Sequence, residues 1–491
     1  MKIRVAEDVR FPYAQFGAWR TEMLDQALSF PNPARERAMK EMVPGWHMHP
    51  KNLHLLRKER GEIVIPRGYL HTLLAGLDAT GIKNPEIIDE TVSVPIDTSK
   101  WLEPTLREDQ IPAVYALLEN RIGCFKGPTA SGKTVVVLAA IRSAQERALV
   151  IVNRSDLARQ WIERAKTHLR RKVGLFGAGK NSELDAEIIV ATQQTLWSQV
   201  DWLDEIDFWS QFGFVCVDET HHCKAETYME IVSRFPSKYR VGVSATPDHD
   251  PALYPYVEAM VGPIVYEIEP EDAINKGVIL KGKVIAVGTD FIFPDYVATH
   301  RHDKCPGAEC PYYGTEGKRG VHRNNYGDLI DALISNEDRN RLVAETIAGC
   351  DARRVHVVLS RRLAHLDAIL DELVGLGYPP ALLRRLTGKE KTAEKQEIQN
   401  FFALQAGAVI LTTIADEGID VPRLDTIHLP YPGRNPEVTR QQVGRIRRLH
   451  ETKCEPLVFD YVDRKVGPLK QQYYSRKRGF YDIEKMEVTR R

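Results

Sequence analysis

The amino-acid sequence predicts an α/β protein with two tandem parallel-sheet lobes and a small N-terminal accessory α+β domain. A glycine-rich loop of the phosphate-binding type follows a short apolar run. Around that loop, apolar strand-like runs alternate with helical stretches, and a second alternating series without such a loop follows farther along. The 491 residues also exceed what one hydrophobic core usually organises, so several domains are expected.

The composition is that of an ordinary globular protein. Its 67 basic residues balance 67 acidic ones, so a polyanion would have to bind a local basic groove. The seven cysteines are an odd number and fit a reducing compartment. No signal-peptide core opens the chain, and no apolar run approaches the ~20 residues that span a bilayer. We therefore expect a cytoplasmic protein without a membrane partner.

The octet GPTASGKT fits the phosphate-loop pattern G-x-x-x-x-G-K-[ST]. Its glycines allow backbone N–H groups to close around phosphate oxygens, Lys133 can reach the β- and γ-phosphates, and the Thr134 hydroxyl can bind Mg²⁺. A helix should begin within the motif and direct its positive dipole end at the nucleotide. The octet thus predicts a nucleoside triphosphate with Mg²⁺, bound by Gly127, Thr129, Ala130, Ser131, Gly132, Lys133 and Thr134.

The first alternating series supplies candidate residues at its strand ends. The predicted strands are GCF (123–125), ALVIVN (148–153), EIIVAT (187–192), FGFVCVDE (212–219) and YRVGVSAT (239–246). Ligands of parallel sheets bind beyond the carboxyl ends of the strands. There Asp218 is expected to hold Mg²⁺ and Glu219 to polarise the attacking water, although such a pair can also cap a helix. Ser244 and Thr246, after the next strand, are expected to couple this acidic loop to the nucleotide state.

The second series of predicted strands covers 354–360, 381–388, 408–416, 426–432 and 455–462. Polar motifs lie between and after these strands. The motif QQVGRIRR fits Q-x-x-G-R-x-x-R, and its spacing predicts that Arg445 and Arg448 share a helix face. From there both arginines can stabilise the γ-phosphate in the transition state, unless the face is only a solvated basic one. In DEGIDVP, Gly418 allows close backbone approach, and Asp420 can accept from a ribose hydroxyl or pair with an arginine. Upstream of the phosphate loop, LREDQ (106–110) adds Arg107 and Gln110, because a glutamine there can read the adenine edge.

Together these motifs resemble those of a superfamily 2 helicase, in the branch of XPB-like and phage UvsW-like DNA helicases. The resemblance covers about 105–465 and also includes VNRSDLARQW (152–161), ATQQTL (191–196), VVLSRR (357–362) and TTIADEGIDVP (412–422). The chain departs from the family pattern in DETHH, where Thr220 replaces a small alanine and both carboxylates are kept.

The resemblance implies two RecA-like (P-loop) lobes with ATP between them and DNA, single-stranded or branched, across both. It implies Gln441 as a coupling residue and six DNA contacts, namely Arg154, Thr192, Gln193, Ser360, Arg361 and Thr412. Closing and reopening of the cleft would then move the protein along the strand. The predicted domains are an accessory domain, possibly DNA-binding (1–100), lobe 1 (101–268), a linker and insert (269–330), lobe 2 (331–475) and a basic tail (476–491).

Two questions stay open at the level of sequence. The insert carries His300, His302, Cys305, Cys310 and His322, which can bind zinc, but the Cys-x₄-Cys spacing favours a basic loop with incidental Cys and His. The motor can also be a duplex translocase or remodelling motor, an RNA helicase, or the ATPase subunit of a repair, restriction or defence complex with protein partners. A small-molecule kinase is disfavoured, because it has no need of QQVGRIRR or SAT.

Overall fold

The computed structural model describes residues 1–40, 43, 45–177, 180–220, 226–248, 251–293, 326–390, 392–413 and 421–491. The chain divides into two compact units, Met1–Glu269 and Pro270–Arg491. Each unit is described by itself. Within the described residues, no helix is both long and apolar enough to cross a membrane.

The first unit begins with an α+β domain, as predicted. Its elements are β1 (Lys2–Val5), β2 (Asp8–Pro12), α1 (Tyr13–Phe16), α2 (Ala18–Ala27), β3 (Ser29–Pro31), α3 (Pro33–Lys40), β4 (Asn52–His54), β5 (Arg57–Glu59), β6 (Glu62–Pro66), α4 (Leu70–Ala79) and β7 (Glu86–Asp89). Five strands form a sheet in the order β5-β6-β2-β1-β7, and β3 pairs with β4. Ile3, Val9, Phe11 and Ile63 are fully buried in this sheet, where α4 adds Leu73 to the core.

A parallel sheet makes up the rest of the first unit. Its elements are α5 (Ile111–Asn120), β8 (Ile122–Lys126), α6 (Lys133–Ala144), β9 (Ala148–Val152), α7 (Ser155–Leu169), β10 (Gly174–Gly177), β11 (Lys180–Ser182), β12 (Ile188–Thr192), α8 (Gln193–Ser198), α9 (Val200–Glu205), β13 (Phe214–Asp218), α10 (Glu226–Ser233), β14 (Tyr239–Ser244), α11 (Tyr254–Val261) and β15 (Ile264–Glu267). The strand order is β11-β10-β12-β9-β13-β14-β8-β15, and β11 pairs antiparallel.

The five predicted strands of lobe 1 are present as β8, β9, β12, β13 and β14. Every residue of β9, β12 and β13 is buried, so both faces of the sheet are covered. This burial explains the continuous apolar runs in the sequence, which lack the polar–apolar alternation of a half-exposed sheet.

Two buried arginines fix the N-terminal domain to this parallel sheet. Arg67 donates to the carbonyls of Ser237 (2.5 Å) and Lys238 (2.9 Å), which directly precede β14. Arg240, within β14, donates in the opposite direction to the carbonyl of Glu7 at 3.0 Å. The side chains of Arg67 and Arg240 are almost fully buried, and burial lowers the pKa of both guanidinium groups. The N-terminal domain and lobe 1 therefore form one packed body.

The second unit is built around a seven-stranded parallel sheet. Its elements are α12 (Pro270–Asn275), β16 (Lys283–Gly288), α13 (Tyr326–Ile334), α14 (Glu337–Ala348), β17 (His356–Leu359), α15 (Leu363–Gly375), β18 (Leu383–Leu386), α16 (Thr392–Leu404), β19 (Val409–Thr412), β20 (Thr426–Leu429), α17 (Pro436–Ile446), β21 (Leu457–Val462), α18 (Gly467–Arg476) and β22 (Glu487–Arg490). The strand order is β18-β19-β17-β20-β21-β16-β22.

The five strands predicted for lobe 2 are present as β17 to β21, and two further strands extend the sheet. Strand β16 lies in the range predicted as a linker and insert, and it pairs with β21. Strand β22 lies in the predicted basic tail and pairs with β16 along its outer edge. Both strands escaped prediction because β16 is one short apolar run beside an irregular segment and β22 is polar and mostly exposed.

Candidate nucleotide site and nucleic-acid surface

Three neighbouring strands of the first unit end at one place. In the sheet, β13 lies beside β14 and β14 lies beside β8, with Asp218 opposite Val243 and Ser244 opposite Lys126. The phosphate loop follows β8, the acidic pair ends β13, and Ser244 ends β14. The structure thus brings together three motifs that lie up to 117 residues apart in the chain (244 − 127).

The phosphate loop has a backbone that needs its glycines. Ala130 and Gly132 adopt positive φ angles of 74° and 84°, and helix α6 begins at the next residue, Lys133. A Cβ on Gly132 would lie 2.3 Å from Nε2 of Gln110, so a side chain there would collide as well as strain the turn. The buried hydroxyl of Ser131 has no hydrogen-bond partner among the described residues. A loop with an orphaned hydroxyl ahead of a helix N-terminus fits a phosphate group.

Lys133 lies folded back on the loop. Its Nζ donates to the carbonyls of Gly127 at 3.0 Å and Pro128 at 3.3 Å. Burial lowers the pKa of Lys133, whereas the carboxylates of Glu219 and Asp218 raise it. The ammonium group is therefore held by weak carbonyl partners that phosphate oxygens can replace, since a charge-assisted bond is stronger.

Arg107 and Gln110 reach the same loop. Nη2 of Arg107 and Nε2 of Gln110 both donate to the Ser131 carbonyl, at 2.6 and 3.0 Å. Oε1 of Gln110 accepts from the backbone N–H of Arg107 at 3.0 Å. In this structure the Gln110 amide thus joins the phosphate loop, through Nε2, to the backbone of Arg107, through Oε1. Its contact with adenine stays a prediction.

In the acidic pair, Asp218 is buried, and Glu219 is half-buried and has a strained backbone. Oδ2 of Asp218 accepts from Nε1 of Trp161 at 2.7 Å, and Oδ1 accepts from the Glu219 N–H at 3.0 Å. Burial, followed by repulsion from Glu219, raises the pKa of Asp218 to about 6, against the Trp161 hydrogen bond that lowers it. Glu219 has a φ of 51°, in the left-handed region that costs a non-glycine residue about 1–2 kcal/mol. Strained, pKa-shifted carboxylates are typical of catalytic sites.

Ser244 connects the acidic pair to the phosphate loop. Its Oγ donates to Oε2 of Glu219 at 3.3 Å and accepts from the N–H of Thr246 at 3.2 Å. Its carbonyl accepts from the N–H of Gly127 at 3.1 Å. Ser244, one of the residues predicted to couple the nucleotide state to the rest of the protein, therefore contacts both the acidic pair and the phosphate loop.

Sequence reasoning missed two residues of this site, Trp161 and Arg164. Both lie on α7, three residues apart and so on one helix face, and Nη1 of Arg164 donates to Oγ1 of Thr134 at 2.7 Å. The available sign was the apolar spacing of Ala158, Trp161 and Ala165, which identifies the buried face of α7. That spacing says nothing about which polar groups the face meets.

The oxygen donors fit a magnesium ion that arrives with the nucleotide. The hydroxyl of Thr134 and the carboxylate of Asp218 are hard ligands of the kind that Mg²⁺ prefers, with phosphates and water completing its shell. Across the described ranges, no group of three His, Cys, Asp or Glu side chains could hold a metal without a substrate. The Cys and His residues of the insert, whose spacing favours incidental residues over zinc ligands, lie outside the described residues. Gly418 and Asp420 also lie outside them.

The second unit carries QQVGRIRR on and beyond α17. Gln441 and Arg445 lie on the helix, but α17 ends at Ile446, so the prediction that Arg445 and Arg448 share a helix face is wrong. The helix ends because the intervening Arg447 is buried and fixed by distant groups: its guanidinium pairs with Glu484, and its Nε donates to the Leu280 carbonyl at 2.9 Å. Arg448 follows in the turn after the helix.

The predicted nucleic-acid contacts of the first unit lie at two adjacent strand ends. Thr192 ends β12 and is opposite Val152 of β9, which Arg154 follows by two residues. Thr192 and Gln193 are buried, and the Thr192 hydroxyl bonds to that of Thr195 at 2.8 Å. Arg154 is exposed, so among these three it is the side chain that solvent reaches most easily.

The corresponding residues of the second unit show the same division. The N–H of Ser360 donates to the Thr412 carbonyl at 3.1 Å, which brings β17 and β19 ends together. Ser360 and Thr412 are buried, and the Thr412 hydroxyl donates to the Leu386 carbonyl at 2.6 Å. Arg361 is exposed and lines a cavity of about 400 Å³, to which Arg434 and Tyr431 also contribute. Direct contacts by the four buried side chains stay predictions.

Geometry and topology together define a class of protein. One parallel sheet carries a phosphate loop, an acidic pair and a serine at three adjacent strand ends. A second parallel sheet follows in the chain and carries an arginine motif. These are the parts of an ATPase motor with two parallel-sheet units.

Comparison with known proteins narrows this class. Residues 103–249 match the family "Type III restriction enzyme, res subunit", and residues 340–450 match "Helicase conserved C-terminal domain". The chain is 27% identical to the DNA 3'-5' translocase XPB2 of Sulfurisphaera tokodaii, over 65% of this chain and 72% of the relative. It is 22% identical to the ATP-dependent DNA helicase uvsW of Enterobacteria phage T4, over 72% of this chain and 68% of the relative.

A solved structure supports the fold alone. A fragment of a putative HsdR subunit of a type I restriction enzyme from Vibrio vulnificus YJ016 matches with a TM-score of 0.56 and 16% identity, over 80% of this chain and 70% of that one. The chain is a superfamily 2 helicase of the XPB/UvsW type, an ATP-hydrolysing enzyme with two RecA-like lobes. This confirms the resemblance inferred from the motifs.

Proposed function

We propose that the protein is an ATP-dependent DNA helicase or translocase that couples hydrolysis to movement along DNA and to its unwinding or remodelling. The observation that carries this proposal is the meeting of Lys133, the Asp218–Glu219 pair and Ser244 at three adjacent strand ends. The named activities of the XPB2 and uvsW relatives support DNA as the substrate.

Each residue has a distinct part in the proposed hydrolysis. Lys133 exchanges its carbonyl partners for phosphate oxygens, and Glu219 orients and polarises the attacking water. Ser244, bonded to Glu219, senses whether that carboxylate faces water or phosphate. A magnesium ion held by Thr134 and Asp218 would neutralise charge on the phosphates. Arg445 and Arg448 are proposed to stabilise the γ-phosphate in the transition state. Arg445 lies on α17, whereas Arg448 follows the end of the helix.

Nucleic acid is proposed to bind through the two exposed arginines, Arg154 in the first unit and Arg361 in the second. Arginine contacts to phosphate carry no sequence information, so binding should be weakly sequence-specific and should fall with salt. The cavity beside Arg361 gives the second unit a concave surface that could hold the nucleic-acid backbone.

A second candidate function is that of the motor subunit in a restriction or defence complex. It is favoured by the family match of residues 103–249 and by the restriction-subunit fold of the solved structure. In that case the cutting activity would come from a protein partner. An RNA helicase is the remaining alternative, and it shares every motif of the ATP site.

The decisive experiment measures ATPase turnover with single-stranded, duplex and forked DNA and with RNA. We expect stimulation by DNA, and we expect Glu219→Gln to bind ATP and DNA with little turnover, because the general base is lost while the fold is kept. The loss should be at least about 100-fold, as for other general bases. Stimulation by RNA alone would favour the RNA alternative, and near-normal turnover of Glu219→Gln would remove Glu219 from the mechanism.

A further inference from the structure

Helix α7 reaches from the predicted nucleic-acid surface to the metal-binding hydroxyl. Arg154 is the residue that directly precedes the helix, and it follows the end of strand β9. Two turns farther along, Trp161 donates to Asp218, and three residues later Arg164 donates to Thr134, both at 2.7 Å. One rigid helix thus holds both protein groups that would bind Mg²⁺.

The contact made by Arg164 conflicts with metal binding. A Mg²⁺ ion on Oγ1 of Thr134 would lie roughly 2.1 Å from that oxygen. The guanidinium nitrogen lies 2.7 Å from the same oxygen, so the two cations would be at most about 4.8 Å apart. Like charges at this separation repel strongly in a partly buried site. Arg164 in this position therefore opposes binding of the metal to the Thr134 hydroxyl.

We propose that Arg164 is a positioning residue that occupies the Thr134 hydroxyl until nucleic acid engages α7, and that it thereby sets the Mg²⁺ requirement of the ATP site. The release of Arg164 by nucleic acid rests on the proposed function, whereas the contact between Arg164 and Thr134 does not. Trp161 has a different part, because its indole N–H donates to Oδ2 of Asp218 and so fixes the orientation of that carboxylate.

The contact is tested by nucleotide binding without turnover. The full chain is titrated with a fluorescent, non-hydrolysable ATP analogue, in EDTA and at increasing Mg²⁺, with no nucleic acid present. We expect Arg164→Gln to lower the half-saturating Mg²⁺ concentration about tenfold and to leave affinity in EDTA within twofold. The matched control is Arg159→Gln, an exposed arginine of the same helix that pairs with Asp156. It should behave like the wild type.

Arg164→Lys keeps the positive charge but not the planar donor fork, so its Mg²⁺ requirement should lie between wild type and Arg164→Gln. This variant also serves if Arg164→Gln fails to fold. An unchanged or raised Mg²⁺ requirement in both Arg164 variants would overturn the proposal, as would an equal effect of Arg159→Gln.

The trigger is tested by repeating the titration with a single-stranded oligonucleotide whose binding is followed by anisotropy. In the wild type, bound oligonucleotide should lower the Mg²⁺ requirement. In Arg164→Gln, the bound oligonucleotide should change the Mg²⁺ requirement little. If the oligonucleotide binds but leaves the wild-type requirement unchanged, release by nucleic acid is overturned. If no nucleic acid binds at all, the proposed function fails, while the competition at Thr134 is still judged by the first titration.

Discussion

At the scale of single residues, Thr220 shows how the chain accommodates its departure from the family pattern. The side chain is fully buried behind the acidic pair, and its hydroxyl lies 3.6 Å from Sγ of Cys124. A Cβ on Gly242, in the neighbouring strand β14, would lie 2.4 Å from the Thr220 methyl group. The larger residue in DETHH is therefore matched by the absence of a side chain at position 242.

This pairing predicts the behaviour of a double mutant. Gly242→Ala should destabilise the first unit by about 1–3 kcal/mol, because the added methyl overpacks the core against Thr220 and Val261. Adding Thr220→Ala should recover part of that loss by removing one of the two clashes. Urea unfolding of the single and double variants measures the coupling, and purely additive losses would contradict the pairing.

At the scale of elements, the turn after α17 is held by a lysine that bridges two motifs. Nζ of Lys453 donates to the carbonyls of Arg448 and Pro422, both at 3.0 Å. Burial, assisted by the positive charge of Arg448 and opposed by Asp425, lowers the pKa of Lys453 to about 7. The position of Arg448 thus depends on a group whose protonation changes near neutral pH.

The shift gives a pH dependence with a defined sign. Between about pH 7 and the ordinary lysine pKa near 10.4, the unfolded chain holds a proton that the folded chain does not, so stability rises with pH. The penalty of burying the charge is complete below about pH 7. Lys453→Met removes this term, so the wild type should gain stability relative to the variant as pH rises from 7 to 9, by up to about 1.4 kcal/mol per pH unit.

Thermal unfolding at several pH values measures this difference. The control is Lys470→Met, which replaces an exposed lysine of α18. A difference between wild type and Lys453→Met that stays constant from pH 6 to 9 would rule out the titration of Lys453 in this range.

At the scale of the whole molecule, the first unit joins a predicted accessory domain to the ATP-binding lobe. The two buried arginines cross between them in opposite directions, and Gly68 packs so tightly that a Cβ would lie 1.8 Å from the Glu258 carbonyl. Tyr69 donates to the carbonyl of Pro255, in the first turn of helix α11, at 2.8 Å. Anything that the N-terminal domain binds would therefore move with lobe 1.

Removal of one arginine should loosen this joint. Arg67→Ala leaves the carbonyls of Ser237 and Lys238 without this donor, and we expect a loss of about 2–6 kcal/mol at roughly 1–3 kcal/mol for each unsatisfied group. Hydrogen exchange should accelerate in both the N-terminal sheet and β14. Arg4→Ala, which removes a partly exposed pair with Glu62, should change neither by much. Faster exchange in the N-terminal sheet alone would argue against a shared unit.

The motifs and the strands that precede them could be predicted from the sequence. Each motif follows an apolar run, and the end of that run places the motif at the carboxyl end of a strand in a parallel sheet. The sequence was insufficient where distant groups decide. The end of α17 depends on Glu484 and Leu280, which no local pattern connects with Arg447. Trp161 and Arg164 were missed because a helical period identifies a buried face but not the polar atoms beneath it. Burial of Thr192 and Thr412 likewise followed from packing that the motifs do not encode.

The φ of 51° at Glu219 has a consequence for how this position can vary. Left-handed backbone favours glycine or asparagine, so selection for stability alone would replace the glutamate. In the proposed mechanism Glu219 polarises the attacking water, so selection for turnover would keep a carboxylate there despite the strain. Catalytic activity and folding stability are therefore opposed at this residue. A variant selected for thermal stability without an activity screen would be expected to replace Glu219 and so to lose ATP turnover.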